Sequence, residues 1–263
     1  MSEPLPSVLS VDVESIIERL DVALSVHASE SCVVTFDGDG TLWSGDVGED
    51  VFLEAIANQM LSESARPALL ECSETYRVVA EGSPSDIAHS IFQAYRASAF
   101  PESVVCEVMT WCYAGIDAAD LARFTHRVLA ERSLALRYNQ KLLRILSFLH
   151  ERGTRSVVIS ASPEFIVRQA ALPLGFEPAD IVAAEPLLVA DRIQPRMKCP
   201  APYAQHKVAA GRRLFGPAHW VGCFGDNVFD TDMLRAAKVA VAVSPKPALR
   251  ESLSLVPGIL VLD

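Results

Sequence analysis

The sequence predicts an α/β fold built on a doubly wound parallel sheet, with an all-helical subdomain inserted into it. Short apolar runs rich in β-branched residues recur along the chain, and segments with helical spacing lie between most of them. Strands that alternate with helices imply βαβ units, and hence a parallel sheet covered on both faces. One long segment without strand patterning interrupts this alternation, and it predicts the insertion.

The composition is that of a folded protein with a full core. The chain has 263 residues, of which 50% are hydrophobic and 21% charged, so one large domain or one domain with an insert is expected. The net charge of −10 disfavours nucleic acid as a partner, because contact with the phosphate backbone needs an excess of Lys and Arg. A small cationic cofactor suits this charge better.

The cysteines and the N-terminal residues predict a reduced, cytoplasmic protein without a membrane partner. The six cysteines form no CxxC pair and have no accompanying zinc-type histidine spacing, so we interpret them as reduced, mostly buried thiols. The first residues, MSEPLPSVLSVDVES, show neither a positive leader nor an apolar stretch of a signal peptide. No later apolar run approaches the ~18 residues that a membrane span needs.

The elements of the predicted sheet follow from apolar periodicity. Residues 11–28 carry Ile16, Ile17, Leu20 and Leu24 at helical spacing, which predicts an amphipathic helix, and residues 32–36 form a buried parallel strand. Further strands are predicted at 156–159, 220–224, 239–243 and 259–262, with helices at 139–152, 163–172 and 231–238.

Residues 46–138 are rich in helix formers and show almost no strand signal. A connection between a strand and the next helix is typically ~2–6 residues long, so this segment is far too long to be a simple loop. We therefore predict an α/β core formed by residues 1–45 and 139–263, and a helical cap insertion formed by residues 46–138.

Carboxylates follow two of the predicted strands directly. Asp37 and Asp39 follow the first, Asp226 follows the third, and Asp230 comes four residues later. Ligands of open parallel sheets bind at the carboxyl ends of the strands, so these acids are expected to converge. Carboxylates at such a short distance would repel one another without a counter-charge. Because Mg²⁺ prefers oxygen ligands, the sequence predicts a magnesium site.

A phosphate site is predicted beside these acids. Ser160 ends the second strand, Ser162 is a candidate N-cap, and Pro163 suits the first position of the following helix. The amide groups at that helix start favour an anion, and the Ser160 hydroxyl can donate to a phosphoryl oxygen. The positive side chain that a phosphate needs is assigned to Lys207, at the head of a helix, with Lys198 as the competitor.

Together, the motifs DGDGT, a serine at a strand end, a lysine and GDNVFD occur in the order found in a known family. The chain resembles the haloacid dehalogenase (HAD) superfamily of phosphohydrolases over residues 28–45 and 140–263. The resemblance implies a Rossmann-like core and a Mg²⁺-dependent phosphatase. Because the dehalogenase branch lacks an acid/base at the position of Asp39, that residue argues against dehalogenation.

The resemblance also implies a role for each motif residue. Asp37 would be the nucleophile that forms an aspartyl-phosphate, and Asp39 the general acid/base. Mg²⁺ would be held by Asp37, the backbone carbonyl of Asp39 and Asp226. Ser160 and Lys207 would bind the phosphoryl oxygens. Asp230 would orient Lys207 or a metal-bound water.

The position of the insert matches family members with a helical type 1 cap, similar to phosphoserine phosphatase, in which the cap closes over the substrate. Two departures count against phosphoserine itself: Ala161-Ser162-Pro163 stands where those enzymes have glycines, and Phe229 where they have Asn. Asp46 corresponds by spacing to their amine-binding acid. The spacing of Asp46 leaves an amine-bearing ester such as phosphoserine open, and the SASPEF stretch resembles relatives assigned to phosphocholine, phosphoethanolamine or similar small esters.

Further candidates for substrate binding come from the helical insert and its edge. The rings of Trp111 and Tyr113, together with Trp43, could face an amine, although aromatic residues in a helical segment also serve as core packing. Glu49 and Arg77 are the remaining candidates.

The leading prediction is a phosphatase that hydrolyses a small phosphorylated metabolite. One alternative is a phosphotransferase that passes the phosphoryl group of the same aspartyl-phosphate to an alcohol. Another is a receiver-like signalling domain, which takes phosphate on an Asp at a sheet edge without turnover. The large insert and Asp39 count against a receiver, since a receiver needs neither.

Overall fold

The computed structural model describes residues 9–27 and 31–263, and nine strands lie within them. Their bounds are β1 Leu9–Ser10, β2 Cys32–Phe36, β3 Arg155–Pro163, β4 Ile181–Ala184, β5 Pro186–Val189, β6 Arg192–Met197, β7 His219–Gly225, β8 Val239–Val243 and β9 Leu260–Leu262. Seven of them form one sheet in the order β1-β9-β8-β7-β2-β3-β4, in which all neighbours are parallel. Strands β5 and β6 form a separate antiparallel hairpin.

Eleven α-helices are found in the same residues. Their bounds are α1 Val13–Val26, α2 Val47–Ala57, α3 Arg66–Thr75, α4 Pro84–Arg96, α5 Glu102–Trp111, α6 Ala118–Glu131, α7 Gln140–Glu151, α8 Glu164–Ala171, α9 Gln205–Phe215, α10 Thr231–Ala236 and α11 Pro247–Ser252. Across the described part of the chain, none of the helices combines the length and the apolar character that crossing a bilayer requires.

The predicted α/β fold class is confirmed, because the sheet is buried on both faces. Val34 in β2 belongs to the core cluster that also contains Ile16 of α1 and Leu142 of α7. The adjacent Val33 belongs to a second cluster with Phe215 of α9. Successive side chains of a strand point to opposite faces, so one layer of helices covers each face.

All five predicted strands are present as β2, β3, β7, β8 and β9, but four further strands, β1, β4, β5 and β6, were not predicted. The edge strand β4 is only partly buried, and β5 and β6 form a hairpin whose side chains are mostly exposed or half-buried. The two turn residues of that hairpin, Ala190 and Asp191, have φ values of 49° and 59°. Hairpin turns of this kind usually contain Asn-Gly, so the sequence lacks the usual signal.

Two predicted helix starts need correction. The first helix runs from Val13 to Val26, and the backbone N–H of Ser15 donates to its N-cap, Asp12, at 2.8 Å; residue 28, the predicted end, lies outside the described residues. The helix after β3 begins at Glu164, not at Pro163, and Pro163 is its extended N-cap residue. The prediction that Ser162 caps this helix is therefore wrong.

Residues 46–138, all of which the structure describes, contain helices α2 to α6 and no strand. The chain leaves and re-enters the sheet through two segments, 42–45 and 137–139, which we call the paired linkers. Trp43 forms an antiparallel bridge with Tyr138. The N–H of Ser44 donates to the Arg137 carbonyl at 3.0 Å, and the Arg137 guanidinium pairs with Asp50 of α2.

Candidate active site

The acids predicted from the sequence meet at the carboxyl edge of the sheet. Strands β7, β2 and β3 are neighbours in the order of the sheet, and Asp226, Asp37 and Ser160 lie at or near their carboxyl ends. A cavity of about 80 Å³ lies there. Its lining includes all six motif residues, namely Asp37, Asp39, Ser160, Lys207, Asp226 and Asp230.

Lys207 is the positive centre of the site. Its side chain is buried, with 4% exposure, and its Nζ lies 2.5 Å from an oxygen of Asp37 and 2.5 Å from an oxygen of Asp230. Burial alone would lower the pKa of Lys207, but the carboxylates of Asp230 and Asp37 raise it above its ordinary value. The lysine therefore stays charged and holds the two carboxylates together.

Asp37 is buried and surrounded by charge. Burial raises the pKa of its carboxyl well above the ordinary value, and Asp230 adds to that effect, whereas Lys207 opposes it. A second cation beside Asp37 would therefore favour its ionised form.

One oxygen of Asp226 has no partner within the described residues. Oδ1 is buried and unsatisfied, whereas Oδ2 lies 2.9 Å from Nζ of Lys246. Burial raises the pKa of Asp226 to about 6, although Lys246 counteracts it. Oxygens of Asp37, Asp226 and Asp230 all lie within 4.8 Å of one another. An unpartnered buried oxygen within an all-oxygen cluster suits a hard divalent cation.

Asp230 is fixed by backbone groups as well as by Lys207. Its second oxygen accepts from the N–H groups of Asp226, at 3.1 Å, and Asn227, at 3.0 Å. Both of its oxygens thus have donors in the described structure, which leaves Asp226 and Asp37 better placed to bind a metal ion.

The carboxylate of Asp39 accepts three hydrogen bonds. Oδ1 accepts from the indole N–H of Trp43 and from the backbone N–H of Val47, both at 2.7 Å. Oδ2 accepts from the hydroxyl of Ser162 at 2.6 Å. The Ser162 hydroxyl, expected to cap a helix, is instead a partner of Asp39.

A glycine next to the paired acids is required by close approach. Gly40 has a φ of +82°, and a Cβ there would lie 2.1 Å from Oδ2 of Asp226. The loop after β2 can therefore approach Asp226, at the carboxyl end of β7, only because residue 40 has no side chain.

Ser160 is buried, with 2% exposure, and its Oγ accepts from the N–H of Ser162 at 3.1 Å. It lies within β3 rather than after it, since the strand continues to Pro163. Its hydroxyl lines the cavity and can still donate to a ligand.

Of the predicted substrate-binding acids, one lines the cavity and the other does not. Asp46 lines it, but one of its oxygens caps α2 by accepting from the N–H of Glu49 at 2.7 Å. Burial raises the pKa of Asp46 well above the ordinary value, with a further contribution from Asp39. Glu49 is not part of the lining and lies 3.7 Å from Arg96.

The structure does not bring the other substrate-binding candidates to the cavity. Trp111 and Tyr113 are core residues with 7% and 0% exposure, and the Tyr113 ring packs edge-on against Phe165. Arg77 is exposed and follows α3 with a left-handed backbone. Lys198, the competitor of Lys207, pairs with Glu185 and does not line the cavity.

Sequence reasoning missed several residues that do line the cavity. They are Glu102 and Cys106 of α5, Tyr203 and Lys246; Ser162 was named only as a candidate helix cap and Phe229 only as a departure from a motif. Burial raises the pKa of the Cys106 thiol, so that side chain is neutral rather than nucleophilic. Only the three-dimensional arrangement places these residues, because each is an ordinary helix or loop residue in the sequence.

A wider depression of about 750 Å³ lies elsewhere, between α7 and the segment around Phe176. It includes Arg155 and Ser156 at the start of β3, so it lies at the amino edge of the sheet. None of the motif residues lines it. The convergence of charge, rather than cavity size, therefore marks the candidate active site.

Comparison with known proteins gives a matching family and several similar folds. The family model described as haloacid dehalogenase-like hydrolase matches residues 34–235. No curated relative matches the sequence.

Solved structures with the same fold share little sequence with the chain. A protein of unknown function from Bordetella pertussis Tohama I has a TM-score of 0.68 at 18% identity, over 89% of this chain and 99% of its own. A HAD family hydrolase from Salmonella enterica serovar Typhi has a TM-score of 0.56 at 15% identity, over 93% and 76%. A phospho-aspartyl intermediate analogue of phosphoserine phosphatase has a TM-score of 0.53 at 12% identity, over 89% and 94%.

Proposed function

Because the chain belongs to the haloacid dehalogenase-like hydrolases, we propose that it is a Mg²⁺-dependent phosphatase that hydrolyses a small phosphate monoester through an aspartyl-phosphate. One observation carries the proposal. The buried carboxylate of Asp37 lies 2.5 Å from Lys207 in a cavity that it shares with the unpartnered oxygen of Asp226. A carboxylate nucleophile, a fixed ammonium group and a cation site are the parts that phosphoryl transfer needs.

The donor set supports Mg²⁺ as the cofactor. Asp37, the backbone carbonyl of Asp39 and Asp226 would hold the ion, and Oδ1 of Asp226 has no other partner among the described residues. When bound, the ion supplies positive charge that lowers the repulsion between the nucleophile and the phosphoryl oxygens.

In the first step that we propose, a carboxylate oxygen of Asp37 forms a bond to phosphorus while the bond from phosphorus to the ester oxygen breaks. Asp39 donates a proton to that departing oxygen, which leaves as an alcohol. In the second step, the oxygen of a water molecule forms a bond to phosphorus while the bond from phosphorus to the Asp37 oxygen breaks. Asp39 takes a proton from the water, and the free carboxylate of Asp37 and inorganic phosphate are the products.

Lys207 and Ser160 would hold the phosphoryl oxygens during both steps. Both side chains line the cavity. Asp230, which pairs with Lys207 at 2.5 Å, would keep the ammonium group directed towards Asp37. Fixed charges of this kind stabilise the transition state without reorganisation during the reaction.

We further propose that residues 46–138 act as a cap over this site. Glu102 and Cys106 of α5 and Asp46 before α2 line the same cavity as the motif residues. Its volume of about 80 Å³ is well below the ~300–1,000 Å³ of pockets for drug-sized ligands. Only a small ester would fit, and entry would require the helices to move away.

An amine-bearing leaving group would suit the charges on the cap side of the cavity. Asp46 and Glu102 line this side, and Lys246 is engaged by Asp226. Glu102 has neither an ion-pair nor a hydrogen-bond partner among the described residues. Burial raises the pKa of both carboxyls. An ammonium group beside them would favour their ionised forms and be attracted by them, whereas an anionic group would be repelled.

The test is a screen of the purified protein against a panel of phosphate monoesters, with and without Mg²⁺, measuring released phosphate. We expect Mg²⁺-dependent release, fastest with small amine-bearing esters. Added alcohols with product analysis would reveal transfer instead of hydrolysis. Stable phosphorylation by a small phosphodonor, with no release from any ester, would contradict the phosphatase and favour a receiver-like domain.

A further inference from the structure

Trp43 contacts the loop that carries Asp37 and Asp39, and its side chain binds the proposed acid/base, Asp39. The backbone N–H of Gly40 donates to the Trp43 carbonyl at 2.8 Å, and Asp39 forms a parallel bridge with Trp43. The Trp43 side chain is fully buried, and its indole N–H donates to Oδ1 of Asp39 at 2.7 Å. An indole N–H can only donate, so this contact uses its whole hydrogen-bonding capacity.

The ring of Trp43 occupies the space beside the glycine that separates the two catalytic acids. A Cβ at Gly38 would lie 2.9 Å from one ring carbon of Trp43 and 3.2 Å from another. Any residue with a side chain would therefore displace the ring or the loop. The glycine between Asp37 and Asp39 thus gives the indole room to reach the second acid.

The donors around Asp39 distinguish its two oxygens. Oδ1 accepts from two N–H groups, those of Trp43 and Val47, and neither group can accept a proton. Oδ2 faces the hydroxyl of Ser162 at 2.6 Å, which can donate or accept. Oδ2 is therefore the oxygen that can give and take the proton, while Oδ1 fixes the direction of the carboxylate.

Both donors to Oδ1 belong to the connection between the sheet and the helical segment. Trp43 lies in the paired linkers, bridged to Tyr138, and Val47 is the first residue of α2. The direction of the Asp39 carboxylate thus depends on the position of the linkers and of α2.

We propose that Trp43 is a positioning residue, whose indole N–H directs the acid/base carboxylate of Asp39 and ties it to the linkers of the helical segment. This inference rests on the proposed phosphatase function. Proton transfer requires its donor within hydrogen-bond reach and correctly aligned, so loss of the indole contact should impair protonation of the leaving group more than substrate binding.

The kinetic test is Trp43→Phe, which keeps an aromatic ring against Gly38 and removes the N–H. For an alkyl phosphate, whose leaving oxygen needs a proton, we expect kcat/KM to fall by about 10- to 100-fold, part of the ~10²–10⁴ that general acid catalysis supplies. For p-nitrophenyl phosphate, which leaves without a proton, we expect a change below about threefold. The protein is tested with Mg²⁺ bound.

Trp220→Phe is the matched control. Trp220 is also buried, and its indole N–H donates to Thr35 at 2.8 Å rather than to a catalytic residue. This control should keep the wild-type ratio of the two kcat/KM values. An equal loss for both esters in Trp43→Phe, or no loss for either, would overturn the proposal. A wild-type protein that hydrolyses neither ester would count against the phosphatase function instead.

A second measurement is independent of turnover and of the folding of Trp43→Phe. The chain has three tryptophans, so its ¹⁵N–¹H spectrum has three indole signals. In Asp39→Ala we expect the Trp43 signal to move and to exchange faster with D₂O, while the Trp220 signal stays in place. A Trp43 signal that is unchanged in Asp39→Ala would overturn the proposal whatever the activity.

Discussion

The ammonium nitrogen of Lys207 lies 2.5 Å from a carboxylate oxygen of Asp37. Asp230 holds the same nitrogen from the other side at 2.5 Å. All three side chains are buried, so each charge depends on the others for its counter-charge. This ion cluster connects the stability of the fold to the chemistry of the site.

Lys207→Met should therefore destabilise the protein. Removing one partner of a buried ion pair typically costs about 3–5 kcal/mol, because a buried charge is left without compensation. We expect a loss of that size in the free energy of unfolding measured with urea. Lys198→Met is the control: Lys198 pairs with Glu185 at the surface, and such pairs contribute ~0–1 kcal/mol. An equal effect of both variants would contradict the role of the cluster.

Asp37→Asn should abolish turnover and leave the fold intact. Asn has nearly the same shape but cannot act as the carboxylate nucleophile, so we expect phosphate release to fall by at least about a thousandfold. Circular dichroism should show wild-type secondary structure, because both Lys207 and Asp230 remain paired. Near-normal rates in Asp37→Asn would mean that another residue attacks phosphorus.

Mg²⁺ should stabilise the protein more at neutral than at acidic pH. Burial raises the pKa of Asp226 from 3.8 to about 6. In the metal-free protein, the stability contributed by the protonated Asp226 carboxyl is therefore fully present below about pH 4 and is lost as pH rises through about 6. A bound cation offsets the ionised carboxylate, and binding to the native state raises Tm.

We therefore expect a larger Mg²⁺-induced rise in Tm at about pH 7.5 than at about pH 5, measured by thermal unfolding. Asp226→Asn should remove most of this difference. A rise of the same size at both pH values in the wild type would contradict the assignment of Asp226 as a metal ligand.

Glu102→Gln should change substrate preference rather than catalysis. Glu102 lines the cavity and makes no ion pair or hydrogen bond within the described residues. Burial raises the pKa of its carboxyl, and a cationic leaving group beside it would favour the ionised form. We expect KM for an amine-bearing ester to rise by about 10-fold, which corresponds to the loss of one charge-assisted hydrogen bond. The KM for a phosphate ester with an uncharged leaving group should not change. Glu107→Gln, on the same helix but outside the lining, is the control. Equal changes for both esters would contradict the assignment.

Much of the sheet and the meeting point of its acids could be predicted from the sequence. The runs at β2, β7 and β8 are apolar on both faces, which is typical of a central parallel strand, and Asp37 and Asp226 follow two of them directly. Chain topology then brings their carboxyl ends to one edge. The match with the family model over residues 34–235 supports the predicted fold.

What could not be predicted depends on orientation in space. Helical spacing alone does not say whether a face meets the core or the site, so Trp111 and Tyr113 were candidates although both pack in the core. Lys246 has the pattern of a surface lysine, and only the fold places it 2.9 Å from Asp226. Ser162 was expected to cap a helix because it directly precedes Pro163. Sequence spacing cannot show that its hydroxyl instead donates to Asp39.

The paired linkers have a consequence for how this architecture can change. The chain leaves and re-enters the sheet at neighbouring positions, where Trp43 is bridged to Tyr138. The helical segment between the paired linkers therefore behaves as a closed loop. Doubling the length of such a loop adds only about 0.6 kcal/mol of closure entropy. Evolution can thus enlarge, shrink or exchange the helical segment almost independently of the strands, and new specificities can arise while the reacting groups keep their places.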